Sequence, residues 1–437
     1  MSKKEKDIDV ILKDSTKKLR EEMEIYSYDD DDYDERRRNA AITKKKAKKK
    51  TRIKIAVLVT EIIVIIGLVF SLVMLVMPNS KAWLASTWIG KAFIKTAFSE
   101  ESYNKIVDSD YDRNNTGINE DLDTNLLDQY LNIALFGVDS RYGELESGVQ
   151  SDCIIIVSIN KDTKEVRMAS VYRDTYVRCF NGDGDAYFGK INSAYNTGGA
   201  AAAVKTLNAN FDLNIQDYVA INFDGIADII DLMDGIDVTI TEDEAEYVNG
   251  YINSYFNEIG NRKEMYKHDI PVAAGTHHLT GIQATAYCRI RAVPIYLEDG
   301  TSLNNDFGRT ARQRLIINKM VEKAKTMGID AVLELAEQVF EEEDGTFITS
   351  IPYDDVIDLI PIVLEFSMAE SKGYPEKYQS YNDRIYGDSL LPDNLAQTVV
   401  DLHKQLFNVD TYTPSKSVLG INEALCSLGG LDEDYEK

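Results

Sequence analysis

Apolar and polar positions fall along this chain in blocks of very different length, and the block lengths predict the elements. The longest apolar block, 55–77, reads IAVLVTEIIVIIGLVFSLVMLVM and is broken only by Glu61 near its start. At about 1.5 Å per residue, a helix of that length crosses a hydrocarbon core of about 30 Å. It is too long, and begins too late, for a cleaved signal peptide. Shorter apolar runs at 131–138, 153–159 and 166–171 are rich in Ile and Val and predict buried strands, each with charge at one end. From 190 the pattern alternates. GGAAAAVKTLNAN predicts a helix after a glycine turn, 218–223 a strand, 225–233 a helix capped by Asp224 and ended by Gly235, and 236–240 another strand. Strands alternating with helices predict an α/β sandwich.

Further along, Thr280 is placed to cap a helix through Ala286, with 287–291 extended beyond it. Another helix follows Asp306, with an apolar stripe of Leu315, Ile316 and Met320 turned inward. Beyond 327, AVLELAEQVFEEE and DNLAQTVVDLHKQLF read as helices, and the last two dozen residues as a tail. The expected division is a disordered tail at 1–54, a membrane helix at 55–77 and an interfacial helix with a spacer at 78–130. A main domain at 131–326, a helical part packed on it at 327–412 and a tail at 413–437 complete it. The interfacial reading of 78–98 rests on Trp83, Trp88, Phe93 and Phe98 interspersed with Lys; a plain connecting helix is the alternative.

Charge orients this plan. The formal net charge is −25, yet residues 1–54 carry 18 Lys/Arg against 13 Asp/Glu, a net of +5, which leaves −30 for the remainder. The basic block KKKAKKKTRIK before the apolar run puts the N-terminus in the cytoplasm and the acidic bulk outside the cell. So acidic a remainder argues against a nucleic-acid partner. Four cysteines form no CxxC pair and no zinc spacing; a Cys153–Cys179 bridge is open to a chain outside the cell. DSDYDRNNTGINEDLD lacks the central glycine of a calcium loop, and NGDGDAYFGKI has Ile191 where a phosphate loop needs Ser or Thr. His277-His278 reads as part of a structural turn.

Candidate chemistry gathers at the strand ends. Asp139 and Arg141 follow the first strand, Asp152 precedes the second and Arg173 follows the third. If these ends share one sheet edge, the carboxylates suit a divalent cation and the guanidiniums suit phosphoryl oxygens. The alternative is solvated charge in strand-end turns. Arg289 and Arg291 would share a face of an extended segment, and Arg309 and Gln313, four apart, share a helix face. Arg289, Arg291 and Arg309 would form a second cationic bank; the alternative is a solvated helix with ordinary surface charge, on which Arg312 lies on a different face with Ile316.

GVDSR at 137–141, SD at 151–152, YRDT at 172–175, KINSAYNTGG at 190–199, INFDGIADIIDLMDGIDV at 221–238, GTHHLTGIQATAYCRIR at 275–291 and DFGRTARQ at 306–313 occur in this order. This series resembles the LytR–CpsA–Psr family of bacterial envelope proteins over residues 131 to about 326. The resemblance implies an extracellular α-β-α sandwich around a mixed central sheet, behind a single membrane helix. It implies a phosphotransferase that moves a glycopolymer from a polyprenyl-pyrophosphate carrier to peptidoglycan. By likeness Asp139 and Asp152 are Mg²⁺ ligands, and Arg173, Arg289, Arg291, Arg309 and Gln313 hold the pyrophosphate. Asp306 is the base for the acceptor hydroxyl, and Arg141 contacts a phosphate or a carboxylate. The chain departs from the family pattern at Gln150 (often Arg), Tyr172 (usually Pro), Ser193 (commonly His) and the extended loop AVPIYLEDGTSLNN before Asp306. These departures leave two alternatives: a non-catalytic envelope sensor or scaffold that binds polyprenyl phosphates, and a polyprenyl-pyrophosphate hydrolase.

Overall fold

A computed structural model describes residues 13–21, 87–97, 100–140, 145–258, 272–297, 299–341, 345–431 and 434. The chain divides into two units, 1–80 and 81–437. In the first, residues 13–21 form an exposed helix. The apolar run 55–77 lies outside the described residues, as does Arg141; among the described residues no helix is long and apolar enough to cross a membrane.

In the second unit the three apolar runs pair as neighbours. Strand β1 (Tyr130–Val138) runs antiparallel to β2 (Ser151–Asn160), which runs antiparallel to β3 (Glu165–Val171). A hairpin of β4 (Tyr176–Phe180) and β5 (Ala186–Lys190) follows. Strand β6 (Asp217–Asn222) returns parallel to β1. Strands β7 (Ile236–Ile240) and β8 (Gly275–Leu279) make a separate ribbon, and β9 (Ile295–Tyr296) and β10 (Ser302–Leu303) a small hairpin in the loop before Asp306. Strand β11 (Phe347–Thr349) adds antiparallel to β6, while β12 (Ser367–Met368) and β13 (Lys372–Tyr374) add parallel to β3. The central sheet is therefore mixed, in the order β11-β6-β1-β2-β3-β12, with β13 also on β3. A last hairpin joins β14 (Tyr378–Asp383) and β15 (Gly387–Pro392).

Helices cover both faces, which is why the central runs show no polar alternation. Ala134, Phe136 and Val138 of β1, with Ile154 and Ile156 of β2, belong to a core completed by α2 (Asn192–Phe211), α8 (Leu395–Phe407) and α9 (Lys416–Gly429). Successive strand residues point to opposite faces, so Leu131, Leu135, Ile155 and Ile159 pack the other way, against Ile317 and Val321 of α6 (Asn305–Met327). On that second side lie α3 (Phe223–Leu232), α4 (Glu242–Glu258), α5 (Gly281–Cys288) and α7 (Ile329–Glu341).

Several expectations need correction. Helix α3 is capped by Asn222, whose side chain accepts from Gly225 N at 2.9 Å, and not by Asp224. Residues 327–412 also carry five strands, three of them in the central sheet. The expected tail contains α9, whose Val418 and Leu425 are fully buried. The expected interfacial helix is α1 (Trp88–Ala97), whose Ile94 is buried beside Phe340, and Tyr103 and Ile106 of the supposed spacer share that core. His277-His278 lies on β8, with His278 Nδ1 2.8 Å from Asp237 Oδ1, so the pair is strand and not turn. Cys153 and Cys179 are free thiols.

Candidate functional site

Antiparallel pairing of β1 with β2 and β2 with β3 puts the end of β1, the start of β2 and the end of β3 at one sheet edge. Val138 pairs with Ser151 across a register shift, and Asp139 N approaches Gln150 O at 3.5 Å. Gly137 permits the close approach there: a Cβ on it would stand 2.7 Å from Cys153 Cβ. Asp152 is the centre of the resulting cluster. Arg173 Nη1 donates to Asp152 Oδ1 at 2.5 Å. Arg309 reaches in from α6, its Nη1 donating to Asp152 Oδ2 at 3.2 Å and its Nη2 to the Asp152 carbonyl at 3.0 Å. Arg291 stands 3.8 Å from Asp152 Oδ2 and 3.7 Å from Asp306 Oδ1, and Arg309 Nη2 is 2.7 Å from the same Asp306 oxygen. Arg289 lies 3.9 Å from Asp139 and stacks its guanidinium on the Phe223 ring at 4.4 Å. One edge thus gathers Asp139, Asp152, Arg173, Arg289, Arg291, Asp306 and Arg309.

The routes to these positions differ in two places from expectation. Arg289 and Arg291 are not on an extended segment. Helix α5 runs on to Cys288, Arg289 is its helical C-cap, and Arg291 follows in irregular backbone. Asp306 stands inside the first turn of α6 and not before it. That helix is no solvated surface element: Arg309, Arg312, Gln313 and Arg314 are all buried.

Burial would raise the Asp152 carboxyl, but the neighbouring Arg309 and Arg173 charges outweigh it and hold the group below the usual carboxylate range. For Arg173 burial also works against charge, and Asp152 outweighs it, so the guanidinium is held more firmly protonated. Arg291 is shifted the other way, by burial and then by repulsion from Arg309 and Arg173. Arg173 Nε, Asp306 Oδ1, Arg309 Nε and Gln313 Oε1 are buried without a well-formed hydrogen bond. Buried polar groups are nearly always satisfied, so four such atoms at one edge mark a place built for a polar ligand.

Directly beneath lies an apolar cavity of about 380 Å³ between the sheet and helices α3 and α6. Its wall includes Val138, Cys153, Cys288 and Gln313. Three of these are chain neighbours of cluster residues: Val138 of Asp139, Cys153 of Asp152 and Cys288 of Arg289. Gln313 lines the cavity as well, and its Oε1 is buried without a hydrogen-bond partner. Cavity lining and charged cluster are therefore adjacent along the chain at three places.

Sequence reasoning missed two features. Arg312 is fully buried, donating to Glu244 Oε1 from Nε at 3.0 Å and Nη2 at 2.7 Å, and to the Val293 carbonyl at 2.9 Å. Nothing in the local spacing separates it from Arg309. An aromatic row of Tyr172, Phe307 and Tyr378 also flanks Asp306; only the departure at Tyr172 hinted at it.

The sequence pattern of the LytR_cpsA_psr family matches residues 96–385. The chain belongs to the LytR_cpsA_psr family. Among curated members similar to it, Biofilm regulatory protein A of Streptococcus mutans is 32% identical over 205 residues, 46% of this chain and 45% of its own length. The polyisoprenyl-teichoic acid–peptidoglycan teichoic acid transferase TagV of Bacillus subtilis is 29% identical over 241 residues, 54% of this chain and 56% of its own. The chain spans about half the length of these relatives. Among solved structures similar to it, B. subtilis TagV gives a TM-score of 0.47 at 25% identity, covering 65% of this chain and 99% of that one. TagT with bound octaprenyl pyrophosphate lipid gives 0.43 at 21% identity, covering 65% and 93%.

Proposed function

We propose that the protein transfers a glycopolymer from a polyprenyl-pyrophosphate carrier to peptidoglycan, leaving a phosphodiester link. The observation that carries this reading is a guanidinium-rich cluster whose residues Asp139, Asp152 and Arg289 adjoin, in the chain, the Val138, Cys153 and Cys288 that line an apolar cavity. A ligand that fits both is an amphiphile with an anionic head and a hydrocarbon chain. A polyprenyl diphosphate has that form, and the names of curated relatives such as TagV and TagU point to the same donor class.

In this reading the cavity takes the proximal isoprene units, and Arg173, Arg289, Arg291, Arg309 and Gln313 hold the diphosphate. The donors left without hydrogen bonds, Arg173 Nε and Arg309 Nε, are where diphosphate oxygens are received. Catalysis of phosphoryl transfer is largely positioning and charge stabilisation, and these residues supply both. The acceptor hydroxyl oxygen forms the new P–O bond, its proton passes to Asp306, and the bond to the prenyl phosphate breaks. Asp306 Oδ1 is buried, unaligned with any donor and close to three guanidiniums, so it is placed to receive that proton. Arg141, beside Asp139 in sequence, is assigned a supporting phosphate or carboxylate contact.

In this reading Asp139 and Asp152 would hold a Mg²⁺ ion. Asp139 and Asp152 are hard oxygen donors at one strand end, and Mg²⁺ in phosphate sites takes one or two carboxylates plus phosphate and water. A bound ion would supply positive charge to the phosphoryl oxygens. Both Asp152 oxygens face guanidiniums in the structure, so Arg173 and Arg309 would turn from Asp152 to the diphosphate when the ligands bind. The apolar run 55–77 is the proposed single-pass anchor, with residues 1–54 cytoplasmic and the catalytic domain extracellular.

The test uses the full chain in detergent, a polyprenyl-pyrophosphate oligosaccharide and peptidoglycan fragments. Transfer is expected from the wild type and lost in Asp152→Ala and in Arg173→Ala; undiminished transfer in both variants rejects the site. Release of the oligosaccharide phosphate to water, with none on peptidoglycan, would favour the hydrolase instead.

A further inference from the structure

The residue after Asp306, Phe307, carries a ring packed against two others. Tyr172 meets it edge-on, with centroids 4.5 Å apart and planes at 84°. Tyr378 stacks on it at 5.3 Å and 26°. Tyr172 is itself buried and locked against β13, where a Cβ on Gly373 would lie 2.4 Å from its hydroxyl oxygen. Tyr378 ends the row at the surface, 37% exposed. Edge-to-face and offset contacts of this kind add stability beyond area burial. The outer ring of this shelf remains open to solvent, immediately beside a site of proposed phosphoryl transfer.

The shelf adjoins a groove of about 930 Å³ between the β13 edge and helix α8. Tyr378 directly follows Glu376 and Lys377, which line the groove with Arg167, Lys372, Asp401 and Lys404. Acids and bases alternate there, and the Lys377 carbonyl accepts from Asp393 N at 3.1 Å, tying the shelf segment to the start of α8. A groove of one sign selects one charge; a groove of both signs suits a ligand with ammonium and carboxylate groups.

We propose that the Phe307–Tyr378 shelf and the adjoining mixed-charge groove form the acceptor subsite, taking an amino-sugar strand on the shelf and its zwitterionic peptide branch in the groove. The inference rests on the phosphotransferase reading above and extends it from donor to acceptor. Phe307 follows Asp306 in the chain, and its row of rings is where a sugar offering a hydroxyl to Asp306 would pack. Pyranose sugars carry apolar C–H faces that pack on aromatic rings, so Tyr378 sets the sugar's plane and Phe307 its distance from Asp306. The peptide branch then leaves over Glu376 and Lys377, away from the guanidinium cluster and the donor.

The test measures binding to the full chain in detergent micelles with three probes: a disaccharide–tetrapeptide muropeptide, chitotetraose and farnesyl diphosphate. The wild type is expected to bind all three. Tyr378→Ala should weaken both saccharide probes by about tenfold or more, and Tyr378→Phe should not. Lys377→Glu should weaken the muropeptide alone. Farnesyl diphosphate affinity should be the same in every variant, which also shows that each is folded. Muropeptide and chitotetraose affinities unchanged in Tyr378→Ala, or no binding of either by the wild type, would overturn the subsite. Failure of the wild type to bind farnesyl diphosphate would instead overturn the donor reading, and the saccharide arms would still decide the shelf.

Discussion

Arg312 and Glu244 form a fully enclosed ion pair: the Arg312 guanidinium is 0% exposed, the Glu244 side chain 4%, and two nitrogens of the first reach Oε1 of the second. The pair is structural in effect. The same guanidinium also donates to the Val293 and Pro294 carbonyls, just beyond Arg291, so it fixes the turn that presents Arg289 and Arg291 to the site. Glu244 in turn receives the Thr241 amide on Oε2 at 2.8 Å, as the acidic half of a capping box for α4.

Arg312→Met should destabilise the protein by about 3–5 kcal/mol, because it leaves a buried carboxylate without its partner. Adding Glu244→Gln should recover a large part of that loss, since Gln keeps the cap and carries no charge. Urea unfolding of the wild type, the single and the double variant checks this. A double variant less stable than Arg312→Met would contradict it.

Arg309→Lys should fold but lower transfer by about two orders of magnitude, the typical cost of removing one donor that stabilises transition-state charge. Arg309 holds the Asp152 carboxylate and the Asp152 carbonyl with two different nitrogens. A lysine ammonium is a point charge that cannot reproduce that fork. Steady-state transfer with the wild type and the variant gives the ratio; equal rates would remove Arg309 from the machinery.

Filling the cavity should separate stability from ligand binding. Val321→Trp places added bulk in the apolar space lined by Ile155, Ile317 and Val363. The midpoint of thermal unfolding should hold or rise, since burying apolar area stabilises by about 25 cal/mol per Å². Affinity for a long-chain prenyl diphosphate should fall, while affinity for inorganic pyrophosphate stays unchanged. Loss of both affinities together would mean that the cavity and the cluster are not independent parts of one site.

His403 predicts an acid limb of stability. It is wholly buried in α8, its Nε2 lies 2.8 Å from the Phe211 carbonyl and so carries the hydrogen, and its ring stacks on Tyr412 at 3.7 Å. Burial pushes its pKa from an ordinary 6.5 down to about 4. The unfolded chain therefore binds a proton that the folded one refuses. Its stabilising contribution is complete above about pH 6.5 and is lost progressively as the pH falls towards 4. Urea midpoints measured across that window should fall with pH, and less steeply in His403→Gln. An unaltered slope would assign the acid limb to other groups.

Much of the architecture is legible in local pattern. Strands β1 to β3 announce themselves as unbroken apolar runs because helices cover both of their faces, and such runs have few other uses. Their polar ends, Asp139, Asp152 and Arg173, were placed at one edge by pairing alone. The seven motifs carried the family, which the match over 96–385 shows. What the linear pattern could not decide was which of several equivalent charges turns inward. Arg309, Arg312 and Arg314 lie within six residues on one helix, and all three are buried. Arg309 goes to Asp152, Arg312 to Glu244 and Arg314 to Ser170 Oγ at 2.8 Å. Each choice depends on an acceptor that folding delivers from far away in the chain, 157 residues in the case of Asp152. The same holds for α9, whose short amphipathic run looks like a tail until α2, α8 and β15 close over it. Local periodicity determined the elements and the edge where chemistry collects; only long-range packing decided which side chains meet there, because desolvation and charge pairing are settled by neighbours in space.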